Sequence, residues 1–271
     1  MKLQQVSDTA LPLDDCAAFA EELAERAGQR ALDFFRQTVD IEVKADQSPV
    51  TIADRTVERL LRNAIGERFP GHAILGEEYG TEGARDAPLW VVDPIDGTRS
   101  FVTGWPIWGT LLALVEAGRP RLGVIEMPAL GERWLGVEGR GTWFTDARHG
   151  RQPARASACR ELARARLYTT SPDYFDAADR PRLAALAQAA GITRYGGDCY
   201  SYGLLALGHV DLVIEAQLEP YDFLPLVPVV EGAGGVITDW QGAELTRDSG
   251  GHVIAAATAE LHAAALARLR G

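Results

Sequence analysis

The run from Trp90 to Thr98, Trp-Val-Val-Asp-Pro-Ile-Asp-Gly-Thr, constrains this chain more than any other stretch. Apolar, β-branched residues lead straight into two carboxylates, Asp93 and Asp96, spaced three apart. Such a run meeting a proline predicts a buried strand that Pro94 stops, with Asp93 held extended before it. Both acids then leave the strand end on a tight turn. Gly97 and Thr98 are the kind of pair that closes a turn and opens a helix. The first N–H groups of that helix would face an anion held by the carboxylates through a metal. Taken alone, Asp-x-x-Asp reads more readily as an ordinary Pro-Asp-Gly turn with solvated carboxylates.

The company of this motif changes that balance. Gly76-Glu77-Glu78 follows the short apolar stretch Ala73–Leu75, and Tyr221-Asp222 precedes an apolar segment that ends in glycines. Three acidic element ends, far apart in the chain, point to one shared cation. Oxygen-only ligands, few in number and with room for water and phosphate, favour Mg²⁺ over zinc or iron.

The 271 residues allow one large domain or two smaller ones. A net charge of −11 excludes a broad basic surface for nucleic acid or anionic membrane, so an anionic substrate needs a locally positive site. Bound metal and a helix N-terminus would supply it. Cys16, Cys159 and Cys199 are scattered and form no C-x-x-C, which argues against a disulfide framework or a thiolate site. Residues Met1 to Asp15 lack an apolar signal core and no run is long enough to span a membrane; a cytoplasmic protein is expected.

Asp14 or Asp15 is expected to cap a helix carrying Phe19, Leu23, Ala27, Ala31 and Phe34 on one stripe. A second helix, with Ala53, Val57, Leu60, Leu61, Ala64 and Ile65, runs to Gly66 and Pro70 and places Asp54 in its first turn. Trp108–Glu116 and Arg121–Met127 read as a hairpin, and Trp134–Glu138 and Gly141–Thr145 extend it. The polar stretch Ala147–Pro153 reads as a boundary between residues 1–147 and 148–271. Beyond it, strands at Leu167–Thr170, Ile192–Tyr195 and Asp211–Glu215 alternate with helices over 182–190 and 202–207. Asp222 is expected to cap a helix that Pro228 kinks; strands at Val236–Asp239 and Val253–Ala256 and a Thr258-capped helix complete the chain.

Gly76-Glu77-Glu78, the Asp93–Thr98 hexapeptide and Tyr221-Asp222 with Glu231-Gly-Ala-Gly-Gly235 resemble, in order and spacing, the three signatures of the inositol monophosphatase family of lithium-sensitive, Mg²⁺-dependent phosphatases. Tyr221 departs from the family's usual tryptophan but keeps a large aromatic. The resemblance covers nearly the whole chain. It implies an α/β (α+β) fold, a layered α-β-α-β-α sandwich with the site between two halves, and a homodimer. It further implies two or three Mg²⁺ ions. Glu77, Asp93 and the Ile95 carbonyl would hold one, and Asp93, Asp96 and Asp222 a second, with a third, weaker ion on Glu77. Water is then the nucleophile, oriented by Thr98 and Asp54, while Gly97 and Thr98 N–H groups cradle the phosphate. The Ser48-Pro-Val-Thr51 approach to Asp54 also matches the family; on the residues alone, Asp54 reads equally as a helix-stabilising acid. Glu78 reads as a solvated or salt-bridged neighbour of the ligand Glu77, and the five histidines show no ligand spacing. Trp105 and Trp108 are candidates to wall the entrance.

Arg99–Gly104, Trp108–Leu111 and Gly196-Gly-Asp-Cys-Tyr200 resemble the histidinol-phosphate phosphatase branch more than the inositol branch. The resemblance implies a role in histidine biosynthesis, a small phosphorylated metabolite as the partner, and Arg99, Asp198 and Glu215 as substrate-binding residues. Carboxylates suit a leaving group that carries an amine and an imidazole. Asp198 also reads as a Gly-Gly-Asp turn residue, and Glu215 as an acid for sugar hydroxyls. An inositol or broad sugar-phosphate phosphatase is therefore the alternative, with a 3′-phosphonucleotide phosphatase (through Arg99 and Arg194) and a non-catalytic partner behind it.

Overall fold

The computed structural model describes residues 13–37, 41–43 and 49–270. Residues 1–12, to which most of the expectation of no signal segment refers, and Ser48 lie outside them. In chain order, α1 (Leu13–Leu32) and the ribbon β1 (Ile41–Val43) and β2 (Pro49–Thr51) lead to α2 (Ile52–Arg68). Then come β3 (Ala73–Gly76), β4 (Gly80–Glu82), β5 (Leu89–Asp96) and the short α3 (Thr98–Val102). A meander follows: β6 (Gly109–Glu116), β7 (Arg119–Met127), β8 (Glu132–Val137), β9 (Gly141–Asp146) and β10 (Gly150–Pro153). The remainder is β11 (Arg166–Thr169), α4 (Arg180–Ala189), β12 (Ile192–Tyr195), α5 (Tyr200–Ala206) and β13 (Leu212–Glu215). After α6 (Pro220–Phe223) and α7 (Leu226–Gly232) come β14 (Val236–Asp239), β15 (Val253–Ala256) and α8 (Ala259–Arg270).

Two sheets organise these elements, with strand orders β10-β9-β8-β7-β6-β5-β3-β4 and β12-β11-β13-β15-β14. α1 and α2 cover one face of the eight-stranded sheet. On its other face lie α5 and α7, and the five-stranded sheet packs against these helices in turn. α4 and α8 close the outside. The order is α-β-α-β-α, as the motifs imply.

The central strands are apolar throughout because both of their faces are covered. In β5, Leu89 and Val91 join the core shared with α5 and α7, whereas Trp90 and Val92 join the core under α1 and α2. Each large side chain so buried contributes roughly 1.5–3 kcal/mol, and a slip of one residue would exchange the two faces. The register of the strand that delivers Asp93 is therefore held from both sides. On the other face, α7 lies on the sheet backbone itself. A Cβ at Gly136 would stand 2.3 Å from the Pro228 carbonyl carbon, so only glycine admits the helix there.

Several local expectations change. β5 continues through Pro94 to Asp96, with a bulge at which Pro94 and Ile95 face the single residue Thr110 of β6. Pro94 has no N–H to contribute, and its carbonyl instead accepts from the Thr110 hydroxyl at 2.9 Å. α1 takes in both Asp14 and Asp15, and Phe34 falls in the turn after it. Thr51 caps α2, which holds Asp54 in its first turn as expected and ends at Arg68. Likewise Glu219 caps α6, with Asp222 one turn in. Pro228 does not kink a helix: the chain breaks at Leu224-Pro225, so Pro228 occupies the first turn of α7, where its missing N–H costs nothing. The polar stretch near residue 150 forms strand β10 on the edge of the first sheet, exposed at each of its four residues.

Candidate active site

Asp93 sits in the bulge of β5, buried, and its Oδ1 accepts the Ile95 N–H at 3.0 Å. The Thr98 hydroxyl donates to the Ile95 carbonyl at 3.1 Å and so closes the turn. Gly97 lies at φ 83°, ψ 41°, a left-handed conformation that glycine adopts without penalty, and a Cβ there would press on the Asp198 carboxylate at 3.1 Å. Asp96 is half-buried and accepts the Cys199 N–H at 2.7 Å, a contact that ties β5 to the start of α5. Asp222 arrives from α6, where the Glu219 N–H donates to its Oδ2 at 2.8 Å.

These elements bring one carboxylate oxygen each of Asp93, Asp96 and Asp222 within 4.8 Å of one another. They line a cavity of about 270 Å³ together with Glu77, Ile95, Gly97, Thr98, Arg99, Asp198 and Glu215. Burial pushes the Asp93 carboxyl well above its usual range, and the neighbouring charges of Glu77, Asp96, Asp222 and Asp54 push the same way. Asp222 is raised well above its range for the same reasons, burial first and Asp96 second. Burial also raises Asp96, against the lowering effect of its bonds from Cys199.

The donor set decides what such a site can hold. Among the described residues, the lining carries seven carboxylates, Glu77, Asp93, Asp96, Asp198, Glu215, Glu219 and Asp222, and one cationic side chain, Arg99. A phosphate dianion is repelled from such a surface unless cations bind with it. Clustered oxygen donors of this kind, with a backbone carbonyl beside them, fit hard divalent ions such as Mg²⁺.

Asp54 lies outside the cavity lining, fully buried. Its Oδ2 accepts the Thr51 N–H at 2.8 Å and the Thr51 hydroxyl at 2.7 Å, completing a capping box, and its charge reaches Asp93. The helix-stabilising role is thus visible, beside a position close to the acids. Glu78 is half-buried and does not line the cavity.

Beside Gly97, Asp198 stands at φ 45° and accepts the Ser100 hydroxyl at 3.1 Å. Burial, with Asp96 adding to it, pushes its carboxyl up to about 7 despite Ser100 and Arg99. Glu215, at the end of β13, accepts from the Thr169 hydroxyl (3.1 Å), the Thr170 N–H (2.7 Å) and the Thr170 hydroxyl (2.9 Å). Burial still raises it to about 8. The Arg99 guanidinium lies 5.1 Å from the Tyr174 ring centre.

Trp105 and Trp108 do not wall this cavity. Trp108 is fully buried against Phe35 and Phe101, and Trp105 is exposed beside Gly196. The aromatic wall is Tyr174, Tyr202 and Tyr221. Tyr174 and Tyr202 carry no pattern in the sequence that marks them, because the turn and helix that deliver them are placed by the second sheet. None of the five histidines lines the cavity, nor does Arg194.

Residues 13–270 match the model of the inositol monophosphatase family. The bifunctional phosphatase IMPL2, chloroplastic, of Arabidopsis thaliana is 43% identical over 274 residues, covering 98% of this chain and 77% of that protein. A histidinol-phosphatase of Chlorobaculum parvum is 37% identical over 238 residues, 87% of this chain and 90% of its own. An inositol monophosphatase from Zymomonas mobilis superposes with a TM-score of 0.85 at 44% identity, over 95% of this chain and 98% of that one. A layered fold with an acidic cleft, signatures matched in order, and a family match from the first described helix to the last lead to one statement: the chain belongs to the inositol monophosphatase family of phosphatases.

Proposed function

We propose that the protein is a Mg²⁺-dependent phosphomonoesterase that hydrolyses histidinol phosphate to histidinol and phosphate. The observation that carries the substrate is the pair Asp198 and Glu215, set in the cavity outside the Asp93–Asp96–Asp222 cluster and raised to about 7 and about 8. Two carboxyls that burial keeps partly protonated gain most from a cationic ligand, which favours their ionised form. Histidinol offers an amine and an imidazole. Inositol 1-phosphate is the competing substrate, since Glu215 suits sugar hydroxyls as well.

In this reading Glu77, Asp93, the Ile95 carbonyl, Asp96 and Asp222 hold the Mg²⁺ ions, which supply Lewis acidity toward the phosphoryl oxygens and lower the pKa of water. Thr98 and Asp54 orient the attacking water, the hydroxyl of Thr98 being fixed by its bond to Ile95. Gly97 and Thr98 present backbone N–H groups to the phosphate, and Arg99 lies at the rim as an additional phosphate or substrate contact. The water oxygen forms a new bond to phosphorus as the ester phosphorus–oxygen bond breaks, and a proton from that water passes to the leaving oxygen, giving the alcohol and phosphate. Residues 1–147 then form a half that supplies most metal acids, and residues 148–271 one that supplies Asp198, Glu215 and Asp222. Lithium sensitivity, a homodimer and a cytoplasmic location belong to the same proposal. Among the described residues no helix is long and apolar enough to cross a membrane.

The test is phosphate release from histidinol phosphate, inositol 1-phosphate and a 3′-phosphonucleotide, each with and without Mg²⁺, in wild type and Asp198→Asn. Asn tolerates the left-handed backbone at this position. Losing a charge-assisted bond of about 1.5–3 kcal/mol lowers kcat/KM for histidinol phosphate roughly 10- to 150-fold, with little change for inositol 1-phosphate. A proportional fall for both substrates would remove Asp198 from recognition, and a wild-type preference for inositol 1-phosphate would overturn the substrate.

A further inference from the structure

We infer that Glu58 is a positioning residue for the Glu77 metal ligand, acting through the backbone of the turn that carries it; the inference rests on the proposal that Glu77 binds metal. Glu77 stands on the turn between β3 and β4. Turns of this kind are mobile unless something inside the protein fixes them. Here that something is a carboxylate. Glu58 projects from α2 with its side chain fully buried, and its Oε2 accepts the Glu78 N–H at 2.6 Å. Its Oε1 accepts the Tyr79 N–H at 3.2 Å and Arg62 Nε at 2.8 Å. Arg62 in turn donates to the Gly80 carbonyl. One carboxylate and one guanidinium therefore bond backbone groups at positions 78, 79 and 80, immediately after Glu77.

The other side of the turn is fitted to the same group. A Cβ at Gly76 would stand 2.1 Å from Glu58 Oε1, so the residue before Glu77 leaves only enough room for the carboxylate. The turn is thus packed against Glu58 before Glu77 and hydrogen-bonded to it after. Glu58 also lies four residues after Asp54, on the same face of α2. A single helix face thereby reaches both Asp54, whose charge acts on Asp93, and the turn that aims Glu77.

Glu58→Gln keeps the shape and changes the donors. Its NH₂ must face either the Glu78 N–H or the pair formed by Tyr79 N–H and Arg62 Nε, donor against donor. Partners of a metal ligand that set its orientation carry about 10- to 100-fold in metal affinity. The test is direct Mn²⁺ titration by electron paramagnetic resonance and Mg²⁺ titration by calorimetry on folded protein. The relevant affinity class is identified as the one that Glu77→Gln removes. In Glu58→Gln the Kd of that class rises about 10- to 100-fold, the Mg²⁺ activation constant rises in parallel, and kcat at saturating Mg²⁺ stays within about threefold of wild type.

Arg62→Lys, which keeps the charge but loses the fork, shifts the same constant in the same direction by less and serves if Glu58→Gln does not fold. Glu82→Gln, at an exposed carboxylate on the far side of Arg62, leaves it unchanged. A lowered melting temperature with unaltered metal affinity in both Glu58→Gln and Arg62→Lys makes Glu58 merely structural and overturns the inference. Wild-type protein that binds neither ion instead removes the metal reading beneath it.

Discussion

Replacing Glu215 by Gln separates the cost of the buried carboxylate from everything else at the site. Glu215 is fully buried, and three donors from Thr169 and Thr170 do not offset its desolvation, which leaves it at about 8 against an ordinary 4.5. An acid raised on folding binds its proton more tightly when folded. Its contribution to stability is therefore fully present below pH 4.5 and is lost as pH rises to about 8. At 1.36 kcal/mol per pH unit, the gap between 4.5 and about 8 bounds that loss at roughly 5 kcal/mol.

Gln reproduces the protonated form: its oxygen accepts from Thr170, and its amide donates to the Thr169 hydroxyl, which can accept as well as donate. The assay is chemical denaturation of the metal-free protein in a chelator across the pH range. Near pH 5 the two proteins agree within about 1 kcal/mol, and near pH 8.5 the variant is the more stable by roughly 2–5 kcal/mol. Asp93, Asp96 and Asp222 are also raised and tilt both curves, and Asp198 adds its repulsion to Glu215, so the difference between the curves reports Glu215 together with that repulsion. Parallel curves, or a variant that loses stability at alkaline pH, would refute the reasoning.

Two further perturbations test the site and its frame. Asp93→Asn removes the acid shared by both proposed ions, and kcat/KM falls roughly 100-fold or more, several kcal/mol of transition-state stabilisation. The same variant melts higher than wild type without metal at neutral pH, because it relieves burial of a charge and repulsion from Glu77, Asp96 and Asp222; calorimetry with and without Mg²⁺ checks both signs. Gly136→Ala drives a methyl into the Pro228 backbone and costs about 3 kcal/mol, a drop of roughly 6–12 °C in Tm by thermal unfolding, whether or not metal is present.

The parts of this fold that were legible in the sequence are those where one local rule decides. Leu89–Val92 are apolar at every position, which in so short a run marks a strand covered on both faces, and the structure divides those residues between two cores. Thr258 does cap α8, its hydroxyl accepting the Leu261 N–H at 3.2 Å. What failed to show locally is what two distant segments decide together. Pro94 reads as a stop, yet β6 supplies Thr110 to the Pro94 carbonyl and the strand runs on through a bulge. Trp108 reads as a rim residue from its place after the motif, but Phe35 and Phe101 draw it into the core. Glu58 belongs to this second kind, although its position carries a signal. A charged residue four positions after Asp54, beside the apolar positions of an amphipathic helix, conflicts with the pattern and so marks a buried partner; the pattern could not say which backbone would meet it. The partner is the turn that carries Glu77, so the residue that breaks the helix pattern is explained by the backbone it holds.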